Sequence, residues 1–279
     1  MGYEAIVYEK RNRVAVITFN RPEKMNALNE TLRADIEAAL HDAEQDEGVR
    51  CIVMTGNGRA WSAGADMSRE RDATRENGRD LLGWYNSSEQ SFERQRAMRR
   101  LHKPIVAAIN GYALGAGFEL LITCDLLIAS ERAVMGAPEL RHGSIVATWL
   151  PFIVGPMWAK RIILTGDHVS AQTAKEIGLV IDVVPHGDLM PKAMALAERI
   201  ALVPPLAVRF NKRMIDGVME MMGVEHGLQY GALVSAICHA GAMPVAETAD
   251  GRKLSEIREK EGVKGFLEAR DGPFGRVPI

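Results

Sequence analysis

The chain has 279 residues, 47% hydrophobic and 25% charged, which is typical of a soluble globular protein able to bury one sizeable core. Lysine and arginine number 34 against 36 acidic residues, giving a formal net charge of -2. This balance argues against recruitment of nucleic acid or an anionic membrane by the charge of the whole molecule. Binding partners must therefore be inferred from local sites.

The cysteines and histidines point to no metal or disulfide framework. Cys51, Cys124 and Cys238 are far apart and form no Cys-x-x-Cys pair, which favours reduced thiols in a cytoplasm-like compartment. The seven histidines show no metal-ligand spacing. The N-terminus lacks a signal-peptide pattern, and no apolar run is long enough to span a bilayer. We expect a cytoplasmic protein without a metal site.

The first predicted elements are a β-hairpin and a helix. Residues 5–8 and 14–19 are apolar runs rich in β-branched residues, and the polar residues 10–13 between them favour a turn. Apolar residues then recur at helical spacing after Asn29, a candidate N-cap, and the helix should end before Gly48.

Strands and helices continue to alternate along the chain. Apolar runs at residues 51–55, 105–109 and 126–129 predict further strands. From Ser170 onward the pattern is largely helical, with one strand predicted over residues 179–184. The alternation predicts an α/β fold.

A loop of small residues and a charged segment follow the strand at 51–55. The loop has small residues at 63–65 and ends at Asp66. Charges of both signs over residues 68–100 favour a solvated helix face or a mobile segment over a nucleic-acid patch. Trp84, Tyr85, Phe92 and Met98 lie in this segment and could line a pocket, although as a group such residues are more often plain core.

The strand predicted at 105–109 leads through a glycine-rich turn into a helical segment over residues 119–124. The first turn of a helix offers backbone N–H groups without intrahelical partners, backed by the positive end of the helix dipole. An oxygen that gains negative charge could be stabilised there, with Glu119 beside it. The alternative is a tight connection whose glycines only permit close packing.

Glu119 and Glu139 are the candidate acid and base. Two carboxyl groups facing one pocket, with pKa values driven apart by burial and mutual repulsion, can divide these roles at neutral pH. The alternative is two unrelated surface glutamates. Two other motifs are incomplete, since Leu120 replaces the third glycine of a dinucleotide fingerprint and the segment around Ser62 lacks the first glycine of a nucleophile elbow.

Many short motifs in one order resemble the crotonase family, the enoyl-CoA hydratase/isomerase superfamily. The two loops already described carry the resemblance together with segments along nearly the whole chain. These segments are Asn20-Arg21-Pro22, Lys24, Asn26-Ala27-Leu28-Asn29, Cys124-Asp125, Pro138-Glu139, Leu164-Thr165-Gly166, Ala174, Gly178-Leu179-Val180, Glu261-Gly262 and Phe266. The resemblance implies a crotonase-like spiral of β-β-α units in residues 1–200 and a helical C-terminal region in residues 201–279 that joins subunits into a homotrimer or a dimer of trimers.

The same resemblance implies the roles of individual residues. The backbone N–H groups of Ala65 and Ala116 would hold the thioester oxygen of a 2-enoyl-CoA. Glu119 would deprotonate the water that attacks C3, and Glu139 would supply the proton to C2. The implied coenzyme A contacts are Lys24, Ala63, Gly64 and Asp66, and the implied acyl pocket includes Trp84, Tyr85 and Trp149. No cofactor is expected, because coenzyme A is part of the substrate.

Departures from the family pattern leave the choice of substrate and reaction open. The Gly-rich run that often follows the second glutamate is absent here, and Ser68 stands where a basic residue is usual. The alternatives are an enoyl-CoA isomerase or acyl-CoA thioester hydrolase that uses Glu139 alone, and a non-catalytic scaffold or RNA-binding member of the family.

Overall fold

A computed structural model of the chain describes residues 2–68, 80–144, 147–275 and 278–279. The strands in this part of the chain are β1 Ile6–Arg11, β2 Val14–Phe19, β3 Cys51–Gly56, β4 Ala60–Ser62, β5 Ile105–Ile109, β6 Tyr112–Leu114, β7 Leu126–Ser130, β8 Val134–Gly136, β9 Val169–Ser170 and β10 Asp182–Val184. The α-helices are α1 Glu30–Gln45, α2 Leu81–Arg99, α3 Ala116–Leu121, α4 Leu150–Thr165, α5 Ala171–Glu176, α6 Leu189–Ala201, α7 Pro205–Met221, α8 Val224–Gly241 and α9 Leu254–Asp271. Short 3-10 helices include Pro22–Lys24 and Pro138–His142.

The strands form two sheets. The larger has the order β1-β2-β3-β5-β7-β10, and the smaller has the order β4-β6-β8-β9. Pairing is parallel except between β1 and β2 and between β8 and β9. Three successive pairs, β3–β4, β5–β6 and β7–β8, each place one strand in the larger sheet and the next in the smaller. The chain therefore winds as a spiral, which confirms the α/β spiral implied by the resemblance.

Local sequence signals predicted most of these elements correctly. The hairpin of β1 and β2 is present, and the Asn29 side chain caps α1 by accepting a hydrogen bond from the Leu32 amide at 2.9 Å. Two boundaries were predicted wrongly. Helix α3 begins at Ala116 rather than at residue 119, and β10 is shorter than the predicted strand because the Leu179 and Val180 amides turn back to the Ala174 carbonyl. The charged stretch at residues 69–79 lies outside the described residues.

Alternate residues of the large sheet face two different cores. Val14 and Val16 of β2 and Val53 of β3 pack with Ala193 and Ala197 of α6. The intervening residues of the same strands belong to the main core, together with α1 and the smaller sheet. This period of two is the pattern of a strand covered on both faces, and full burial of each large aliphatic side chain contributes roughly 1.5–3 kcal/mol.

The C-terminal helices pack in two ways. Helix α7 has no fully buried residue, and several of its apolar side chains point outward: Phe210 is 63% exposed and Met221 is 89% exposed. Its charged side faces inward, where Lys212 forms an ion pair with Asp125. Helix α9 instead folds back onto the 3-10 helix that carries Glu139. The predicted domain boundary at residue 200 falls near the end of α6, and the division into two domains stays a prediction.

Candidate active site

Three parallel strands of the smaller sheet end at the same edge. Strand β6 pairs in parallel with β4 on one side and with β8 on the other. The carboxyl ends of parallel strands lie together, so the segments that follow them are neighbours. These segments are Ala63–Asp66 after β4, Gly115–Ala116 after β6 and Pro138–Glu139 after β8. Residues far apart in sequence are thereby brought to one edge.

The first two segments approach each other closely at Gly64. A Cβ atom built on Gly64 would lie 2.8 Å from the Leu114 carbonyl oxygen and 3.4 Å from the Ala116 amide nitrogen. The φ angle of Gly64 is 101°, a conformation that side-chain-bearing residues rarely adopt. Only glycine allows the loop to come this near to the start of α3.

The amides of Ala65 and Ala116 are available as donors. Ala65 pairs with Leu28 through the Gly64 carbonyl and the Asp66 amide, which leaves its own N–H outside that pairing. Ala116 is the first residue of α3, where an amide has no intrahelical acceptor. Within the described residues neither amide donates a hydrogen bond to another protein group. The structure thus brings the segments of both predicted donors together.

Glu139 lies against the turn that starts α3. A Cβ atom added to Gly115 would collide with Glu139 Oε1, and the φ of 55° with ψ of -127° at Gly115 suits glycine alone. Glu139 Oε2 is buried and has no hydrogen-bond partner among the described residues. A buried carboxyl oxygen without a donor favours the protonated form of the group.

The burial of Glu139 and the charge of Glu119 also favour the protonated form of Glu139. Burial, reinforced by the negative charge of Glu119, raises the pKa of Glu139 to about 7, although the positive charge of Arg270 opposes the rise. Glu139 can therefore hold a proton near neutral pH. The influence of Glu119 also means that the two carboxyl groups titrate as an interacting pair.

Glu119 projects from α3 into the same region. Its Oε1 accepts a hydrogen bond from the Ala147 amide at 3.1 Å, and its backbone N–H donates to the Gly115 carbonyl at 2.9 Å. Burial raises the pKa of Glu119, against the opposing effects of the Ala147 amide and the positive charge of Arg33. Ala147 has a φ of 63°, so a strained backbone position supplies the donor to this carboxylate.

A cavity of about 580 Å³ reaches Ala116 and Glu119. It lies between α1 and α2, whose apolar contributions include Ile36, Leu40 and Met98. Its size is within the range of roughly 300–1,000 Å³ that small-molecule sites occupy.

The aromatic residues predicted for the acyl pocket lie elsewhere on α2 and beside it. The Trp84 ring stacks on His239 of α8 with centroids 4.4 Å apart, and the Trp149 indole donates to Gln95 Oε1 at 2.7 Å. Tyr85 is partly buried against the main core. The structure does not bring these three residues into the lining of the large cavity, since Trp84 packs toward α8 and the cavity opens toward α1. Their acyl-pocket role stays a prediction.

The residues predicted to contact coenzyme A lie along two paired loops. The Ala63 amide donates to the Met25 carbonyl at 2.9 Å, next to the exposed Lys24. Asp66 forms a buried ion pair with Arg21 at 3.0 Å. Burial opposes ionisation of Asp66, but the Ser68 amide and Arg21 outweigh it and lower its pKa. Lys24, Ala63, Gly64 and Asp66 are thus neighbours, while their contact with coenzyme A stays a prediction.

Three residues beside the two glutamates were not predicted to belong to the catalytic site. Arg33 and Ala147 act on Glu119, and Arg270 acts on Glu139. Arg270 is 8% exposed, donates to both carboxylate oxygens of Asp271 and lies 3.4 Å from His142 Nδ1. Their sequence positions carry no local signal, because tertiary folding alone brings them to the glutamates.

The described residues include neither a candidate metal site nor a helix that could cross a membrane. No group of three or more His, Cys, Asp or Glu residues there is arranged to hold a metal ion. No described helix is both long enough and apolar enough to cross a membrane. The expectation that the protein uses no metal or other cofactor stays a prediction.

The relatives found by comparison with known proteins agree with one another in the family that they indicate. The family profile described as enoyl-CoA hydratase/isomerase matches residues 9–276. A putative enoyl-CoA hydratase of Thermus thermophilus is 35% identical over 275 residues, covering 96% of this chain and 100% of that protein. The crotonyl-CoA hydratase of Syntrophomonas wolfei is 34% identical over 281 residues, covering 98% of this chain and 99% of that protein.

The fold is shared with a solved structure over the whole chain. The crystal structure of an enoyl-CoA hydratase/isomerase from Xanthobacter autotrophicus Py2 matches with a TM-score of 0.88 at 34% identity, covering 99% of this chain and 100% of that one. The two-sheet spiral, with its site at the edge of the smaller sheet, is that of a crotonase-fold protein. The chain belongs to the enoyl-CoA hydratase/isomerase family.

Proposed function

We propose that the protein catalyses the reversible hydration of a 2-enoyl-CoA thioester to a 3-hydroxyacyl-CoA. The observation that carries the proposal is the contact between Glu139 and Gly115, since Gly115 begins the helix that bears Glu119. Two largely buried carboxyl groups, each with a raised pKa, therefore lie beside one set of backbone donors. Water addition across a double bond needs a base and an acid in this relation.

The thioester oxygen is bound by the amides of Ala65 and Ala116. Charge develops on this oxygen as water adds to C3, because the carbonyl conjugated to the double bond takes up the electrons. Fixed donors at that point stabilise the transition state more than the ground state. The close approach of Gly64 to the Ala116 amide supports the pairing of these two donors.

The two glutamates move the protons. Glu119 in its ionised form takes a proton from water as the oxygen bonds to C3, and protonated Glu139 gives its proton to C2. After the reaction Glu119 is protonated and Glu139 is ionised, so a proton returns from one to the other through solvent before the next turnover. The pKa of Glu139, about 7, suits an acid that must also be recharged at neutral pH.

The nucleotide end of the substrate lies along Lys24 and the Ala63–Asp66 loop. The Lys24 ammonium supplies a positive charge for a phosphate group. The ion pair between Arg21 and Asp66 fixes the loop that positions the Ala65 amide. Binding energy gained here holds the reacting thioester in place.

The protein assembles as a homotrimer or a dimer of trimers. Helix α7 supports this, because it exposes several large apolar side chains, among them Phe210, Met214 and Met221. Such a face is costly in a monomer and suits a subunit contact.

The proposal is tested by mixing the purified protein with crotonyl-CoA and following loss of the conjugated enone absorbance. We expect loss of absorbance with formation of 3-hydroxybutyryl-CoA. Conversion of 3-enoyl-CoA alone would indicate an isomerase, and release of free coenzyme A would indicate a hydrolase.

A further inference from the structure

We propose, on the basis of the function proposed above, that the substrate carries a linear acyl chain of about eight carbons or more, and that the cavity between α1 and α2 binds this chain. The cavity is lined by both Ala116 and Glu119. A tail that extends from a thioester bound at these residues enters it directly.

The volume of the cavity far exceeds the needs of a short acyl group. It measures about 580 Å³. A methylene group occupies about as much space as a water molecule in the liquid, roughly 30 Å³. A four-carbon acyl group would leave most of the cavity unfilled, and contacts with its walls would be lost.

The shape of the cavity is elongated. Its lining runs along α1 from Arg33 to Glu44, and along α2 from Gln90 to Met98, with Leu101 just beyond the end of α2. The span on α1 is about three turns, or roughly 16 Å at about 1.5 Å per residue. An extended chain advances roughly 1.2 Å per bond, so this length fits a linear tail of many carbons rather than a compact ring.

The chemistry of the walls fits an alkyl tail. The sides close to Glu119 are formed by Leu28, Ile36, Leu40, Met98 and Leu120. Four of these five side chains are buried in the protein, and burial of alkyl surface against them contributes roughly 25 cal/mol per Å².

Several polar residues of the lining lie toward solvent, whereas Gln95 is buried and accepts the indole N–H of Trp149. Arg94 of α2 pairs with Glu37 of α1 at 2.8 Å, and the Glu37 side chain is 54% exposed. This pair joins the two helices at the open side of the cavity. The apolar interior and polar rim together match a hydrocarbon tail that starts at the catalytic carboxylates.

The first test compares kcat/KM for crotonyl-CoA, 2-octenoyl-CoA and 2-dodecenoyl-CoA. We expect at least a tenfold rise from crotonyl-CoA to 2-dodecenoyl-CoA, because each added methylene gains apolar contact. Hydration of crotonyl-CoA with a flat or falling series would overturn this inference and leave the proposed function intact.

The second test measures binding without chemistry. Calorimetric titration with the saturated dodecanoyl-CoA and butyryl-CoA should give a dissociation constant at least tenfold lower for dodecanoyl-CoA. Equal affinities would contradict the assignment, even for a protein that hydrates nothing.

Substitutions in the cavity wall test whether the acyl tail binds there. Ala97→Phe and Ser91→Phe fill the cavity from α2 and should lower the ratio of dodecanoyl-CoA to butyryl-CoA affinity by about tenfold. Ala195→Phe makes a matched change on α6, away from the cavity lining, and should leave the ratio unchanged. Unaltered ratios in folded Ala97→Phe and Ser91→Phe proteins would assign the tail to another site.

Discussion

At the scale of single residues, the site depends on the proton held by Glu119 and Glu139. Both carboxyl groups are buried, and the pKa of each is raised. Because the charge of Glu119 raises the proton affinity of Glu139, one proton is shared over a range of pH between the two titrations. The proposed mechanism of hydration requires this singly protonated state.

The pH dependence of kcat/KM should therefore be bell-shaped. On the acid side Glu119 becomes protonated and the base is lost. On the alkaline side Glu139 loses its proton at a pKa of about 7, and the rate should fall by about tenfold for each further pH unit. Stopped-flow measurement with crotonyl-CoA tests this, and a rate that stays constant up to about pH 9 would exclude Glu139 as the acid.

Burial of Glu139 also predicts a cost in stability. Its folded-state pKa of about 7 is above the ordinary value of 4.5, so the folded protein binds the proton more tightly than the unfolded chain. The contribution of Glu139 to the free energy of unfolding should be most favourable below about pH 4.5 and should decrease as pH rises through about 7. At pH 8 the free energy of unfolding of Glu139→Gln should therefore exceed that of the wild type by on the order of 1–3 kcal/mol, so the variant should unfold at a higher temperature. At pH 5 the two proteins should unfold at similar temperatures, and an equal difference at both pH values would contradict the burial argument.

At the scale of secondary-structure elements, the turn from β6 into α3 positions the whole site. Gly115 at this turn touches Glu139, precedes the Ala116 amide and accepts the hydrogen bond of the Glu119 backbone. One backbone conformation thus controls the proposed acid, one proposed amide donor and the helix of the proposed base.

Gly115→Ala should disrupt the site beyond the backbone strain it introduces. The new Cβ collides with Glu139 Oε1, so the carboxyl group or the turn must move. We expect loss of at least two orders of magnitude in kcat and destabilisation of about 2 kcal/mol or more. Gly178→Ala is the control: its φ of 78° imposes similar strain, but nothing lies within 4 Å of the added Cβ. Equal effects of the two changes on kcat would show that the Glu139 contact is unimportant.

Helix α9 makes a separate contribution through Arg270. The positive charge of this residue lowers the proton affinity of Glu139, against the larger effect of burial. Arg270→Gln should move the alkaline limb of the pH–rate profile to higher pH, whereas Arg270→Lys should keep it near the wild-type position. Thermal unfolding of both variants separates this effect from loss of packing, and an unmoved limb in a folded Arg270→Gln protein would contradict the role.

The sequence predicted elements better than the contacts between them. The apolar strands and the Asn29 cap depend on neighbouring residues, so local patterns reveal them. The meeting of Glu119 with Glu139 depends on the parallel pairing of β6 with β8, and only the family resemblance indicated it. Ala147 and Arg270 reach the glutamates through tertiary folding, which no local pattern reports. The aromatic residues of α2 were assigned to a pocket by residue type, but the face of the helix that each occupies is set by packing against α8.

At the scale of the whole molecule, the exposed side of α7 predicts assembly. Phe210→Asp and Met214→Asp place a charge on this apolar face and should shift the protein to a smaller species in light scattering coupled to size-exclusion chromatography. Val7→Asp makes the same kind of change at an exposed residue of β1 and should leave the assembly unchanged. A wild-type protein that is monomeric at micromolar concentration would contradict the prediction.

In the proposed mechanism, the spiral fold brings the reacting groups to one sheet edge. The smaller sheet aligns three loops, the helices α1 and α2 enclose the cavity beside them, and α9 covers the loop of Glu139. In this mechanism, two carboxyl groups at the sheet edge exchange protons with a thioester held by backbone amides.

Hydration rates of Glu119→Gln and Glu139→Gln test this claim most directly, with Glu176→Gln as a matched change on α5. Each of the first two variants should lower kcat for crotonyl-CoA by about two to four orders of magnitude, because amide groups cannot exchange the protons. Glu176→Gln should retain the wild-type rate. A folded Glu119→Gln or Glu139→Gln protein with a rate within about threefold of the wild type would contradict the account.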